Sequence, residues 1–480
     1  MGSVVLVADE TVAARRDVVY GLFGARAGAG WVFAAECDTL AVGSVVTLQL
    51  PVGGGQAAVD ILGRVKSLVP PRQIVIALDQ PWRGQLRICL ERKGTESTRV
   101  SVRAEIDERG VEWLLRRRGW PACQPAEDGD YRIGLLTSKS GPGAVFAVAC
   151  ENLAIMAVDE LNADGGLRGR RVRLLVSDDA TDPATGAAEA RWLVRAGCRV
   201  VLASVTSATF GAVQRAIGDC GVPLVHTVLN EGGGGPGHVF RWGERPADQL
   251  AVAAGPLMRS SGARQWFLVG DDYSWSHGAH RAARQVLPEA GGVIAGESFV
   301  PLGTKDFEPV IDAITRSGAD LVLSTLVGAD EVAFERQCLD MGLRARCRTL
   351  SLVLDESTRE RVGDRAAAGL WTAFGYYQQL PTEENRAFLA RYRNTFGPWA
   401  PPVSTLSESI YSALHLYGTA VRQAQQDDPG QVVAALQRLR AIVPRGSVEL
   451  TGPHHIRQQL RLAEASVGGF RLLSTAGGPV

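Results

Sequence analysis

The N-terminal part of the chain alternates apolar and polar residues with a period of two, which is typical of half-buried β-strands. The clearest run places Val100, Val102 and Ala104 on one face of a strand and Ser101 on the other. Glycine- and proline-containing turn signals separate this run from similar ones before it. We therefore predict antiparallel strands over residues 1–118.

A proline-rich acidic stretch at residues 119–130 ends this pattern and is typical of a linker. Beyond it, short apolar runs alternate with segments of helical period, such as the face formed by Phe307, Val310 and Ile314. This order is typical of α/β units with parallel sheets. The predicted strands are residues 132–136, 172–176, 200–203, 223–225, 266–269, 293–299, 321–324 and 349–353. They form two successive sets, so we predict two α/β units, followed by a helical stretch and three C-terminal strands.

Composition excludes several classes of function. The 480 residues include 51 basic and 51 acidic side chains, so the net charge favours neither nucleic acid nor an anionic membrane as a partner. No run reaches the about 18 apolar residues that cross a bilayer, and Asp9 and Glu10 interrupt any secretory signal. The eight cysteines lack metal-binding spacing. We predict a cytoplasmic protein with no cofactor and no metal.

Several runs in the second part of the chain occur in a recognisable order. They are GLLTSKSG at 134–141, AVDELNADGG at 157–166, FLVGDDY at 267–273, VPLGTKDF at 300–307, STLVG at 324–328 and PTEEN at 381–385. Their order and spacing resemble the type I periplasmic binding proteins, in the branch that binds urea, short-chain amides and branched-chain amino acids for ABC transporters. The resemblance implies two Rossmann-like lobes joined by three crossing strands, with ligand bound between them.

The resemblance also implies boundaries for the lobes. Lobe 1 is expected at about 131–243 and 378–441, and lobe 2 at about 244–377 and 442–480. The resemblance is also compatible with a homodimer, while the sequence leaves the oligomeric state open.

The predicted ligand-binding residues follow strand ends, where open α/β sheets bind their ligands. The resemblance matches Thr206 and Ser207 to a polar loop, and Tyr273 and Trp275 to an aromatic pair. One departure is the segment from His226 to Asn230, which replaces a loop of the Tyr-Pro-x-x-Tyr kind and leaves the ligand class open. The full predicted set is Ser140, Thr206, Ser207, His226, Val228, Asn230, Tyr273, Trp275, Thr325, Val327 and Gly328.

The first domain resembles the α+β helix-grip proteins, which include polyketide cyclases. The similarity lies in WVFAA at 31–35, Val42-Gly43-Ser44, the Pro70-Pro71 corner and the strands that follow. Helix-grip domains enclose an apolar cavity beneath a C-terminal helix. Here that helix is predicted at 111–118, which is short for the family.

Three hypotheses of function follow. The first is a cytoplasmic sensor that binds a small polar ligand, such as urea, an amide or an amino acid, without catalysis and signals through the first domain or a partner protein. The second is the substrate-binding component of an ABC transporter, with a permease as partner. The third is a cyclase- or hydrolase-like first domain, for which Asp60 and Arg87 are the titratable candidates.

Two other patterns have simpler explanations. His277 and His280 have a spacing that suits a metal, but no third ligand stands near them in the sequence. Residues 232–235 are four glycines without the Gly-Lys-Ser/Thr that ends a phosphate-binding loop.

Overall fold

The computed structural model describes residues 4–24, 34–51, 58–117, 129–424, 428–450 and 455–473. The chain forms two compact units. One contains Met1–Ala126 with Phe396–Pro401, and the other contains Glu127–Thr395 with Pro402–Val480. The predicted linker lies outside the described residues except at 129–130. So do residues 31–33 of the helix-grip similarity.

The first unit is built on one antiparallel sheet with the strand order β1-β7-β6-β5-β4-β3-β2. Its strands are β1 (Val4–Val12), β2 (Ala34–Glu36), β3 (Val45–Pro51), β4 (Ala58–Val69), β5 (Gln73–Gln80), β6 (Gly84–Arg92) and β7 (Thr98–Ile106). Helix α1 (Arg16–Gly21) follows β1, and helix α2 (Glu108–Arg117) follows β7. The predicted alternation is present in β7, where Val100 and Ala104 are buried while Arg103 is exposed.

Apolar side chains fill the interior of this unit. Trp113 of α2 contacts Trp82 with ring centroids 5.6 Å apart, which fixes the helix on the sheet. Ile61 and Ile88 are fully buried beneath them. Arg87 points the other way and is exposed, so it does not supply the enclosed titratable group that the catalytic hypothesis requires.

The second unit begins with lobe 1, a parallel sheet in the order β12-β11-β10-β8-β9. The strands are β8 (Tyr131–Thr137), β9 (Val172–Asp178), β10 (Val201–Ser204), β11 (Leu224–His226) and β12 (Val239–Arg241). The helices are α3 (Cys150–Ala163), α4 (Pro183–Arg195) and α5 (Ser207–Ile217), with short 3-10 turns at Pro142–Val145 and Gly218–Cys220. Each predicted strand agrees with an observed one to within two residues.

Lobe 2 contains the second α/β set. Its helices are α6 (Pro246–Ser261), α7 (Ser274–Glu289), α8 (Glu308–Ser317), α9 (Ala329–Asp340), α10 (Glu356–Val362) and α11 (Asp364–Ala367), with a 3-10 turn at Leu343–Ala345. Its strands are β13 (Gln265–Asp271), β14 (Val293–Val300), β15 (Leu321–Thr325), β16 (Arg348–Ser351) and β17 (Trp371–Phe374).

The C-terminal segment returns to both lobes. It contains α12 (Glu383–Phe396), α13 (Thr405–Gln423), α14 (Pro429–Leu436), β18 (Arg440–Val443), β19 (Gly446–Leu450), β20 (Ile456–Arg457), β21 (Arg461–Ser466) and β22 (Gly469–Leu473). Helices α12 and α13 pack on α3 of lobe 1 through pairs such as Asn152 with Tyr392 at 3.1 Å. Strands β18–β20 form a small antiparallel sheet of their own.

The sheet of lobe 2 is mixed, which corrects the prediction of a purely parallel sheet. Its order is β14-β13-β15-β16-β17-β21-β22, and β21 pairs antiparallel with β17. A hairpin of β21 and β22 extends the edge left open by β17. Pairing satisfies backbone groups that an open edge leaves unpaired.

Three connections cross between the lobes, at residues 242–245, 375–382 and 458–460. The buried Arg445 joins them, because it donates to Gln458 of the third connection and lies 3.5 Å from Glu244 of the first. Glu244 in turn accepts a hydrogen bond from the N–H of Gly375, in the second connection, at 2.9 Å. Glu408 of α13 is the second carboxylate bound to Arg445.

No helix in the described part of the chain combines the length and apolar character needed to cross a membrane. Nor do the described residues contain three or more His, Cys, Asp or Glu side chains grouped to hold a metal. His277 instead bonds Asp272, and His280 bonds Glu297.

Candidate ligand-binding cleft

A cavity of about 40 Å³ lies between the two lobes. Its lining is largely aromatic and aliphatic, with a few hydroxyl groups. The lining residues are Phe146, Thr206, Ser207, Val228, Leu229, Tyr273, Trp275, Val327, Gly328, Val353, Thr358, Phe374 and Leu406. None of these side chains carries a formal charge.

Lobe 1 contributes the start of helix α5 to the cleft. Thr206 is the N-cap, and its hydroxyl accepts a hydrogen bond from the N–H of Thr209 at 3.3 Å. Ser207 is the first helical residue. The first N–H groups of a helix have no partner within it, and the helix dipole makes this end partly positive. The lobe 1 wall therefore suits an electron-rich atom of a ligand.

Lobe 2 contributes the start of helix α7. Tyr273 precedes the helix and Trp275 lies in its first turn, with ring centroids 6.5 Å apart. Trp275 is buried, and its indole Nε1 has no hydrogen-bond partner among the described residues. Burial, followed by the charges of Asp271, Glu231 and Asp330, raises the pKa of Tyr273 well above its usual value. The phenol therefore stays protonated and remains a donor.

Two buried carboxyl groups of lobe 2 hold the loops next to the cavity by hydrogen bonds to their backbone. Asp271 accepts the N–H of Val327 at 2.7 Å, and Asp330 accepts the N–H of Gly303 at 2.7 Å. Burial, and then the charge of Asp330, raises the pKa of Asp271 well above its usual value. These groups are engaged with the backbone, so they position the loop of lobe 2 and do not line the cavity.

The lobes touch beside the cavity. Gly328 has a φ of 59°, and a β-carbon built there would lie 2.3 Å from the carbonyl oxygen of Pro142 in lobe 1. Only glycine combines this left-handed conformation with so close an approach. The structure therefore shows the lobes closed on a small space.

Seven of the predicted site residues lie together in this lining. They are Thr206, Ser207, Val228, Tyr273, Trp275, Val327 and Gly328. Their contact with a ligand stays a prediction, but the structure brings them to one place.

The other four predicted residues do not line the cavity. The His226 ring stacks on Phe210 with centroids 4.0 Å apart, and its Nε2 lies 2.9 Å from the carbonyl oxygen of Val205. The other three are also bonded within their own lobes: Asn230 donates to the carbonyl of Gly243, Ser140 donates to Asp178, and Thr325 donates to the carbonyl of Val269. Position after a strand end placed these residues near the cleft but did not indicate the direction of each side chain.

Six lining residues were missed: Phe146, Leu229, Val353, Thr358, Phe374 and Leu406. Ligands of open α/β sheets bind at the carboxyl ends of the strands, and we call this the strand-end rule. It should have found Val353 and Phe374, because Val353 follows β16 and Phe374 ends β17. Phe146 and Leu406 come from segments more than 250 residues apart, beside a 3-10 turn and in α13. No local signal marks them.

Comparison with known families agrees with this architecture. The family model described as periplasmic binding protein matches residues 130–469, more than half of the chain. The chain belongs to this family. The predicted resemblance to the type I branch that includes the branched-chain amino acid binders is confirmed, and with it the two-lobed α/β fold. The first unit lies outside the match, so its helix-grip resemblance stays a prediction.

Curated relatives carry names of amino-acid-binding proteins. A Leu/Ile/Val-binding protein of Rhizobium johnstonii is 31% identical over 206 residues, which cover 42% of this chain and 56% of that protein. The Leu/Ile/Val-binding protein of Escherichia coli is 22% identical over 64% of this chain and 83% of its own length. The chain thus matches little more than half of the first of these relatives.

Solved structures show the same fold. A solute-binding protein from R. palustris in complex with benzoate superposes with a TM-score of 0.64 at 19% identity, covering 73% of this chain and 98% of that one. A branched-chain amino acid binding protein of Streptococcus pneumoniae in complex with isoleucine also has a TM-score of 0.64 at 19% identity, covering 72% and 99%.

Proposed function

We propose that this chain binds a small solute in the interlobe cleft without covalent chemistry, as the substrate-binding component of an ABC transporter. The observation that carries the proposal is the cavity itself, with aromatic walls, a helix N-terminus on one side and no charged lining side chain. Relatives named for Leu, Ile and Val, and neighbours solved with benzoate or isoleucine, support a solute with an apolar body.

The polar end of the solute is expected to accept hydrogen bonds. The buried Nε1–H of Trp275 lacks a partner in the described part of the chain. Leaving such a donor unpaired costs about 1–3 kcal/mol, which a ligand oxygen would recover. A carbonyl or carboxylate oxygen between Trp275 and the start of α5 meets this requirement.

The size of the solute separates the candidate ligands. The cavity of about 40 Å³ exceeds the space of one water molecule but is far below the about 150 Å³ that holds benzene. Urea or acetamide suits the closed cleft, whereas leucine or benzoate requires the lobes to separate further. A ligand shifts that equilibrium only by its differential affinity for the two states.

The test is a thermal-shift and calorimetric screen of the full chain with urea, acetamide, valine, leucine, benzoate and 4-hydroxybenzoate. A solute at about 100 times its Kd should stabilise the folded state by about 2.7 kcal/mol. Trp275→Phe keeps an aromatic ring but removes the N–H, so we expect about tenfold weaker binding. The matched control is Trp192→Phe on α4, outside the lining.

Two results would count against the proposal. One is a folded protein that none of the six solutes stabilises. The other is a solute that binds Trp275→Phe as tightly as the unchanged chain, because the cavity would then not be the site.

A second candidate, the cytoplasmic sensor, is favoured by the additional unit of β1–β7 and α2 ahead of the family match. In a sensor, ligand binding in the cleft should change the structure or dynamics of this unit. Hydrogen exchange with and without a bound solute distinguishes the two roles. Altered protection in residues 58–117 supports a sensor, whereas changes confined to the lobes support the transporter component.

A further inference from the structure

A carboxylate stands at the solvent-facing edge of the cleft. Glu231 lies in the loop after β11, and its Oε2 accepts a hydrogen bond from Ser207 Oγ at 2.7 Å. Ser207 lines the cavity, whereas Glu231 is exposed. The pair therefore joins a lining hydroxyl to a charged group at the entrance.

The opposite lobe leaves room for this side chain. A β-carbon built on Gly278 of α7 would lie 2.6 Å from Cβ and 3.3 Å from Cγ of Glu231. Because Gly278 has no side chain, the stem of Glu231 can lie between the lobes next to the helix that carries Trp275. Its predecessor, Asn230, is anchored by hydrogen bonds to Gly243 at 2.9 Å and Gly232 at 3.0 Å. The position of Glu231 is thus set by the anchored Asn230 in lobe 1 and by the space beside Gly278 in lobe 2.

The charge of Glu231 reaches the lining. Burial is the largest cause of the raised pKa of Tyr273, and Glu231 is one of three acidic residues whose charges raise it further. Arg241 of lobe 1 interacts with Glu231, because the charge of Glu231 opposes the lowering of the pKa of Arg241 by burial. Arg241 lies over the ring of Phe210 at 5.4 Å and Arg245 lies near Gly232. Neither arginine lines the cavity, and the group bonded to the lining hydroxyl of Ser207 is the carboxylate of Glu231.

We infer that Glu231 is a specificity-determining residue that makes the cleft prefer neutral amide-type solutes to carboxylates of the same shape; this inference rests on the proposed function. A serine hydroxyl has a single proton to donate, and Glu231 already accepts it. A solute carboxylate at this edge would therefore find no hydroxyl proton to accept. It would also be repelled by the negative charge of Glu231. An amide N–H can instead donate to the carboxylate of Glu231, a charge-assisted bond.

The test uses solute pairs that differ only in the polar end: acetamide with acetate, and benzamide with benzoate. Calorimetry on the full chain gives the ratio of the carboxylate Kd to the amide Kd. We expect the amide to bind more tightly, and Glu231→Gln to lower this ratio by about tenfold, since loss of one hydrogen bond to a charged group has this size of effect.

The matched control is Glu289→Gln, which removes the same charge at the far, exposed end of α7 and should leave the ratio unchanged. A ratio that Glu231→Gln leaves as it was, or an unchanged chain that prefers the carboxylates, overturns the inference while the proposed function stands. If none of the four solutes, nor any in the earlier screen, binds the folded chain, the proposed function fails and this inference fails with it.

Discussion

His226 shows how a single buried residue links stability to pH. Its ring is buried against Phe210, and burial lowers its pKa to about 3. In the unfolded chain a histidine titrates near 6.5. The unfolded state therefore takes up the proton first, so the stability due to neutral His226 is complete above about pH 6.5 and is lost as the pH falls towards 3.

The prediction at this scale compares the unchanged chain with His226→Gln. Between about pH 7 and pH 5 the histidine should account for a loss of about 2 kcal/mol in the free energy of unfolding. Urea titration at both pH values measures it, and the variant should lose less stability than the unchanged chain by that amount. Equal losses would mean that His226 is protonated in the folded state.

At the scale of one element, the capped start of α4 is a feature the sequence marks clearly. Asp182 is the N-cap and accepts hydrogen bonds from both the N–H and the hydroxyl of Thr185 at 2.7 Å. Pro183 occupies the first turn, where its missing N–H does no harm. Helix α4 packs on α5, whose first turn lines the cleft.

We therefore expect Asp182→Ala to reduce the free energy of unfolding by about 1 kcal/mol, because it removes the acceptor for an otherwise unpaired N–H. Asp182→Asn keeps an acceptor and should lose less. Asp159→Ala, an exposed position within α3, is the control and should stay within about 0.5 kcal/mol. Denaturation midpoints that rank the two Asp182 variants in reverse order would contradict the capping role.

At the scale of the whole second unit, one buried arginine holds the connections between the lobes. Arg445 contacts Glu408, Glu244 and Gln458, and the side chains of both glutamates are fully buried. Buried ion pairs add little net stability when intact, but removing one partner leaves an uncompensated charge.

Arg445→Met should accordingly destabilise the chain by about 3–5 kcal/mol. The double variant with Arg445→Met and Glu408→Gln should recover part of this lost stability, since Glu408→Gln removes the charge of one buried carboxylate left without its partner. Arg440→Met removes an exposed pair with Glu449 and should cost at most about 1 kcal/mol. Chemical denaturation of these variants checks the ranking. A loss for Arg445→Met no larger than that for Arg440→Met would show that the network does not join the connections.

The sequence by itself determined most strands of the second unit and part of the candidate site. Apolar period is a local property, so strands such as β8 and β9 were predicted within two residues, and the apolar face of α8 was recognised from its helical spacing. The strand-end rule brought Thr206 and Tyr273 to the cleft for the same reason, since it needs only the order of strands along the chain.

Only the tertiary structure decided what the cleft contains. His226 follows the same rule as Thr206 yet turns into lobe 1, because the ring stacks on Phe210 and finds a carbonyl there. Leu406 enters the lining from a distant helix, and Glu231 reaches Ser207 beside Gly278. The antiparallel edge of β21 and β22 arises in the same way. These outcomes depend on packing between segments far apart in the chain, which no local pattern of residues encodes.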